Sequence, residues 1–285
     1  MFNLNSKPFV VAVMVMTFFI SACSQQDDFQ STTKKDIITD AEMKQFESLG
    51  FDVSDIQKVP AGNPISGESD GYNFLLEGDI TITPENFSAM LESSVAHSGV
   101  CGEQYRTNNL VSTPQTISVI GYTGNNSNGL DNTMQTALSW AIDNYNALNT
   151  NLNFTLNYGT NYNSYDIVVY RVSGSGGGQA GFPSGGNPYK WVQIQSGTSS
   201  YGTNTTEHVI THEIGHCLGL RHTDYFNRSL SCGSGGNEGN GGVGANHVPG
   251  TPTGFDANSI MLSCFSSGED GEFGYYDRVA LEYLY

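Results

Sequence analysis

Positive charge is scarce in this sequence. Eleven Lys and Arg stand against 28 Asp and Glu, a formal charge of −17. Such a chain has no basic field with which to neutralise phosphates, which excludes general nucleic-acid binding. Charged residues of either sign make up only 14% of the 285 residues, whereas Gly alone contributes 34, a profile that fits neither a coiled coil nor a helical bundle. The apolar run from Phe9 to Ile20, broken by Thr17, has 12 residues and is too short to span a bilayer as a helix. What is present is aromatic: 15 Phe and 15 Tyr in a chain that is 38% hydrophobic, which argues against disorder throughout. With abundant Gly, Asn, Ser and Thr, the composition suits an exported, β-containing protein with long polar loops. The length suits one good-sized domain with additions, or two small ones.

The N-terminus sets the expected address. Lys7 followed by the run from Phe9 to Ile20 reads as a signal peptide over residues 1–22. Its end, Ile20-Ser21-Ala22-Cys23, resembles the lipobox of bacterial lipoproteins, which implies a lipid on Cys23 and attachment to a membrane through it. Ser24-Gln25-Gln26-Asp27-Asp28 follows, similar to the surface-export signal of some Gram-negative lipoproteins. The expectation is a lipidated tether over 23–36 and a place in the bacterial cell envelope, on the outer membrane or cell surface, facing the extracellular or periplasmic space. Cys101, Cys217, Cys232 and Cys264 remain, an even set that suggests disulfides in an exported chain. Four cysteines allow three pairings and the sequence alone does not choose. Cys232 with Cys264 would tie a glycine-rich loop to a downstream turn and leave Cys101 and Cys217.

Residues 37–104 read as a small N-terminal unit. Asp40 to Leu49 has the pattern of a short helix with Asp40 as cap and Gly50 as stop, Pro60 to Gly71 reads as a turn-rich loop, and Tyr72 to Thr83 as strand. Residues 105–285 read as the main domain. Thr116 to Tyr122 is a strand. Asn132 to Leu148 is a helix whose face Met134, Ala137, Leu138, Ala141, Ile142 and Tyr145 define. Asn153 to Tyr158, Tyr165 to Val172 and Trp191 to Gln195 are strands, Thr205 to Leu220 is a helix, and Tyr276 to Leu284 closes the chain as a last helix. This order predicts an α/β (α+β) fold with a twisted mixed sheet.

The chemistry concentrates in His212-Glu213-Ile214-Gly215-His216-Cys217-Leu218-Gly219-Leu220-Arg221-His222. On a helix His212 and His216 share a face and reach one metal together. Glu213 lies about 100° round the helix from His212, placed to meet a water at the metal without being a ligand. Gly219 permits a sharp break that returns His222 to the same ion. Three neutral imidazoles with a fourth position open form the pattern of a single catalytic Zn2+, which acidifies water and polarises a carbonyl while Glu213 moves the proton. His208 lies one turn before His212 and is expected to be structural. His97 and His247 have no assigned role.

Ser259-Ile260-Met261-Leu262-Ser263 resembles the Met-turn of metzincin peptidases, and the stretch from His212 to Asp224 resembles the bacterial dual-action HEIGH metallopeptidases. The resemblance implies a metzincin-like catalytic domain over 105–285. It would be a zinc endopeptidase acting on extracellular protein or peptide in extended conformation, as a monomer, with His212, His216 and His222 as ligands, Glu213 as base and Met261 beneath the metal. Thr223 stands where astacins carry Glu, and no Tyr follows Met261 by two residues, which leaves oxyanion support to Tyr225 as a weak candidate. Asp224 reads equally as a residue that orients a ligand or as a loop cap. Metzincins bind substrate along an edge strand, for which Gln179-Ala180-Gly181-Phe182-Pro183 is the candidate. The tract from Gly233 to Gly250 reads as a mobile rim whose single acid, Glu238, does not support a calcium site. Leu76-Glu77-Gly78-Asp79-Ile80 is similar to the FxGD motif of astacin propeptides, which makes Asp79 the first candidate for holding the enzyme latent, with Cys101 the alternative. Two rivals remain. One is a surface-binding lipoprotein with a non-catalytic zinc site, which has no need of Glu213. The other is a zinc enzyme acting on glycan or cell-wall peptide.

Overall fold

The computed structural model describes residues 37–285 apart from 50, 94–103, 240–243 and 253. The expected signal segment and tether, with Cys23, lie outside the described residues, as do Gly50, His97 and Cys101.

The N-terminal unit opens with α1 (Asp40–Ser48). Its cap is Thr39 rather than Asp40: the Thr39 side chain accepts from Glu42 N–H, and the Glu42 carboxylate accepts from Thr39 N–H, a reciprocal box. The expected loop from Pro60 to Gly71 is instead a hairpin, with β1 (Gln57–Asn63) antiparallel to β2 (Glu68–Leu76). Pro60 is tolerated because β1 ends the sheet, where a missing N–H breaks no ladder. The expected strand from Tyr72 to Thr83 divides at residues 77–79 into β2 and an antiparallel β3 (Ile80–Ile82), and α2 (Pro84–Ser93), which periodicity did not reveal, follows. Phe46 packs between Phe51, Phe74 and Phe87 at ring separations of 5.6, 4.9 and 4.1 Å.

The remaining elements are β4 (Tyr105–Arg106), β5 (Gln115–Tyr122), α3 (Asn132–Asn146), β6 (Leu152–Gly159), β7 (Ile167–Val172), β8 (Gly178–Gly181), β9 (Trp191–Gln195), a 3-10 turn (Ser196–Tyr201), α4 (Thr203–Leu218), α5 (Ser229–Cys232), β10 (Asn246–His247) and α6 (Tyr275–Leu284). Asp131 caps α3 by accepting from Met134 N–H, and the six residues the helix buries are the six that its apolar spacing marks. Leu148 falls outside α3, which stops at Asn146. α4 begins two residues before the expected start and ends at Leu218, since Gly219 turns the chain away.

One eight-stranded sheet runs β1-β2-β3-β8-β9-β7-β5-β6, parallel from β9 through β6 and antiparallel between β8 and β9. The expected mixed α/β architecture is therefore present. α3 and α4 pack on one face, linked by the Tyr145 hydroxyl, which donates to Thr211 O at 2.8 Å. Two separate cores result. The larger spans Val111 to Tyr285, and the smaller lies among N-terminal residues joined by one outsider, Phe182. β3 splices the two halves by pairing parallel with β8, Ile80 opposite Ala180 and Thr81 opposite Gly181. Among the described residues no helix is long and apolar enough to cross a membrane.

Candidate metal centre

α4 is buried along nearly its whole length, and its last turns carry the motif. Gly215 is required there by packing. A Cβ at that position would lie 2.6 Å from Met261 Sδ, so the methionine of the turn presses directly on the helix between the two histidines. Gly219 adopts φ 108°, a left-handed conformation that favours glycine, and its N–H caps the helix on Gly215 O and His216 O. The reversal brings His222 back. Its Nε2 lies 3.3 Å from His216 Nε2 and 3.3 Å from His212 Nε2.

Each Nδ1 has a separate partner. His212 Nδ1 pairs with Ile260 O at 2.9 Å, His216 Nδ1 with Leu220 O at 2.8 Å and His222 Nδ1 with Glu238 Oε1 at 2.6 Å. Carbonyl acceptors at the Nδ1 atoms of His212 and His216 place their protons there and leave two Nε2 lone pairs in the cluster, while His222 has a carboxylate at each nitrogen. That arrangement is repulsive without a cation and is how imidazoles are set to hold one. Burial and the two neighbouring histidines hold His212 well below the usual imidazole range, and burial with His222 takes His216 down to about 4. Burial opposes charge on His222 as well, but Glu238 and Asp79 outweigh it and raise that ring. The cluster sits in an anionic field that favours a positive charge at its centre.

Asp79 completes the cluster. Its Oδ2 is 3.1 Å from His222 Nε2, and its carboxylate and the three histidines each offer an atom within 4.8 Å of the others. Glu213 is fully buried on α4 and has no hydrogen-bond partner on Oε2. Burial, then Asp79, pushes its carboxyl well up. Glu213, His212, Asp79, Glu77, Val209, Leu262 and Phe265 share a cavity of about 160 Å³.

Sequence reasoning missed three supporting residues. Glu238 is no rim residue: it is fully buried, accepts from His222 and Arg221, and takes Ser263 Oγ–H at 2.9 Å. Its one available signal was its isolation as the sole acid in a glycine-rich tract. Asp277, on α6, accepts from Gln104 Nε2, Ser259 Oγ, Ile260 N and Gly274 N, and so fixes the turn that holds Met261 and the Ile260 carbonyl. Glu77 lies in left-handed backbone (φ 60°) with Oε2 3.7 Å from His222 Nδ1, and burial followed by Glu238 pushes its carboxyl up to about 8.

Other candidates take their places. Asp224 caps the turn by accepting from Ser231 Oγ, Ser263 N and Ser263 Oγ, and touches the centre only through Ser263 and Glu238. Tyr225 packs edge-on against Tyr105 at 4.2 Å. His208 is outside the cluster, with Nδ1 3.3 Å from Asp270 O, and His247 Nε2 lies 3.1 Å from Thr251 O. Cys232 and Cys264 form a disulfide, and Cys217 is free and buried. The candidate edge strand becomes β8, but its open side is filled by β3.

A mixed α/β sheet with two helix-borne histidines, a third returned by the glycine break, a buried glutamate and a methionine turn fits a metallopeptidase, a hydrolase of the protease class. Residues 74–285 match the sequence profile of the dual-action HEIGH metallopeptidases, and the chain belongs to that family. Two solved structures of myroilysin are similar to it. One has 13% identity and a TM-score of 0.38, covering 60% of this chain and 80% of that one. The other has 14% identity and a TM-score of 0.40, covering 62% and 86%. A comparison with curated proteins finds no match.

Proposed function

We propose that the chain is a zinc endopeptidase whose N-terminal unit keeps it latent. The observation that carries this reading is the convergence of three Nε2 atoms, with His212 and a buried Glu213 whose Oε2 has no partner lining one cavity. Three imidazole nitrogens suit Zn2+, with His212, His216 and His222 as its ligands and the His222 proton displaced when the ion binds. A bound zinc supplies Lewis acidity, polarising the scissile carbonyl and acidifying water. Glu213 takes a proton from the attacking water and delivers it to the leaving amine as the C–O bond forms and the C–N bond breaks. A desolvated carboxylate is a stronger base, which is the use of its burial.

The latency reading rests on two contacts. Asp79 stands beside His222 Nε2, where catalysis needs room, and β3 takes the edge of β8 that an extended substrate would use. Gln179 Nε2 donates to Thr81 Oγ1 at 2.6 Å and Ala180 N to Asp79 O at 2.9 Å, so the unit is held by the substrate groove itself. The proposed setting is a monomer anchored by lipid on Cys23 at the outer membrane or cell surface, cutting extracellular proteins.

The test is Glu213→Gln in the full chain. It should keep one zinc per chain and lose casein cleavage by about 10²- to 10⁴-fold. Retained cleavage sinks the mechanism. Zinc bound with no cleavage by the wild-type chain in any state favours the binding-protein rival.

A further inference from the structure

Arg228 is the cation beside the centre that the N-terminal unit itself contacts, through Glu77 O. It stands at the start of α5, with its N–H donating to Gly236 O at 3.0 Å, in the segment that the Cys232–Cys264 disulfide ties down. Its backbone therefore belongs to the peptidase half and stays when the N-terminal unit leaves. Its guanidinium has two anchors. Nη2 donates to Glu77 O at 3.3 Å, and Nε lies 3.6 Å from Glu238 Oε1 without making a hydrogen bond. The first anchor departs with the N-terminal unit, and the Asp79 carboxylate departs with it. The second is already engaged by His222, Arg221 and Ser263. An open cleft thus exposes a guanidinium whose remaining carboxylate is shared among three other donors.

The position in the groove follows from the turn between β2 and β3. Asp79 marks the metal, β3 leads away from it beside Ala180 and Gly181, and Glu77, two residues earlier in the turn, sets its carbonyl against Arg228. A substrate strand that takes the place of β3 beside β8 and passes the metal therefore runs close to Arg228. Resting on the peptidase reading above and on release of the N-terminal unit, we infer that Arg228 is a specificity-determining residue that selects an acidic side chain close to the scissile bond. Guanidinium is the group suited to bidentate capture of a carboxylate. The strongly acidic chain repels such substrates at long range, but that repulsion is screened beyond about 8 Å at physiological salt, whereas the contact is local.

The test needs no cleavage. The full chain carrying Glu213→Gln and Asp79→Ala, loaded with zinc, is titrated with fluorescent ten-residue peptides that bear Glu, Gln or Lys at successive positions. Anisotropy should show the Glu peptide binding about tenfold tighter than the Lys peptide at 0.15 M salt. Adding Arg228→Glu should reverse the order, and Arg228→Lys should retain it in weakened form, with zinc content and circular dichroism matching the parent in both. Equal affinities, no binding, or an order unchanged by the charge reversal overturns the inference. Failure of the peptidase reading is separate: it is a wild-type chain that binds zinc and cuts no casein.

Discussion

Replacing Asp79 with Asn removes one charge and leaves shape almost unchanged. In the closed state the carboxylate sits 3.1 Å from His222 Nε2, with its Oδ1 buried and unpartnered. A hydrogen bond to a charged group contributes about 1.5–3 kcal/mol, so its loss should raise the open population about ten- to a hundredfold. The unit will not fall away entirely. The β3–β8 pairing, the Gln179–Thr81 bond and Phe182 inserted among Phe46, Phe74 and Ile80 remain. The expected result is a full-length Asp79→Asn chain that binds one zinc and cleaves a quenched peptide at least tenfold faster than wild type, before any processing. Intact mass must be followed in parallel, so that a gain from self-removal of the unit is not mistaken for opening. Equal initial rates for the two intact chains would falsify the latency argument.

Three further outcomes follow from the packing. Asp277→Ala removes the acceptor of three buried donors and one part-buried donor around the methionine turn, and should cost about 3–5 kcal/mol in urea unfolding and weaken zinc binding through the freed Ile260 carbonyl. Cys232→Ser with Cys264→Ser opens a link across 32 residues and should cost about 3 kcal/mol under oxidising conditions in guanidinium titrations; a variant as stable as wild type refutes this. Burial, with Glu272 and Asp270, pushes Glu207 up from 4.5 to about 7. The folded chain then binds more protons than the unfolded chain across that window, so stability falls as pH rises through it. Glu207→Gln keeps an acceptor for Asn144 and should stabilise by about 1 kcal/mol at pH 8, roughly 2–4 °C in melting temperature, with little effect at pH 4. An equal gain at both values would refute the assignment.

What could be read from the residues, and what could not, divides by range. The α3 face was legible because 3–4 spacing is a local property, and so was the convergence of His212, His216 and His222, because helix pitch and one glycine break nearly determine it. β1 and β2 were not legible. Their exposure alternates weakly, and Pro60 with several glycines mimics a loop, while the pairing that makes them strands is set by the neighbouring strand. Asp277 reaches the methionine turn across 17 or more residues, and Glu238 reaches His222 across 16, so no window of sequence shows either contact. Asp79 became visible only through a family likeness, since an Asp after a Gly is also how an ordinary turn is written.

The parallel seam between β3 and β8 has a consequence for the opened molecule. Parting it uncovers two complementary strand edges at once, one on each half, in the same chain. Uncovered edges are templates for pairing with other chains. Two opened molecules could exchange N-terminal units, each β3 zipping to the other's β8, and so restore both closed grooves as a swapped pair. High local concentration would favour that exchange, whereas dilution would favour the single open form. Local density would then act as a brake on proteolysis, independent of any inhibitor.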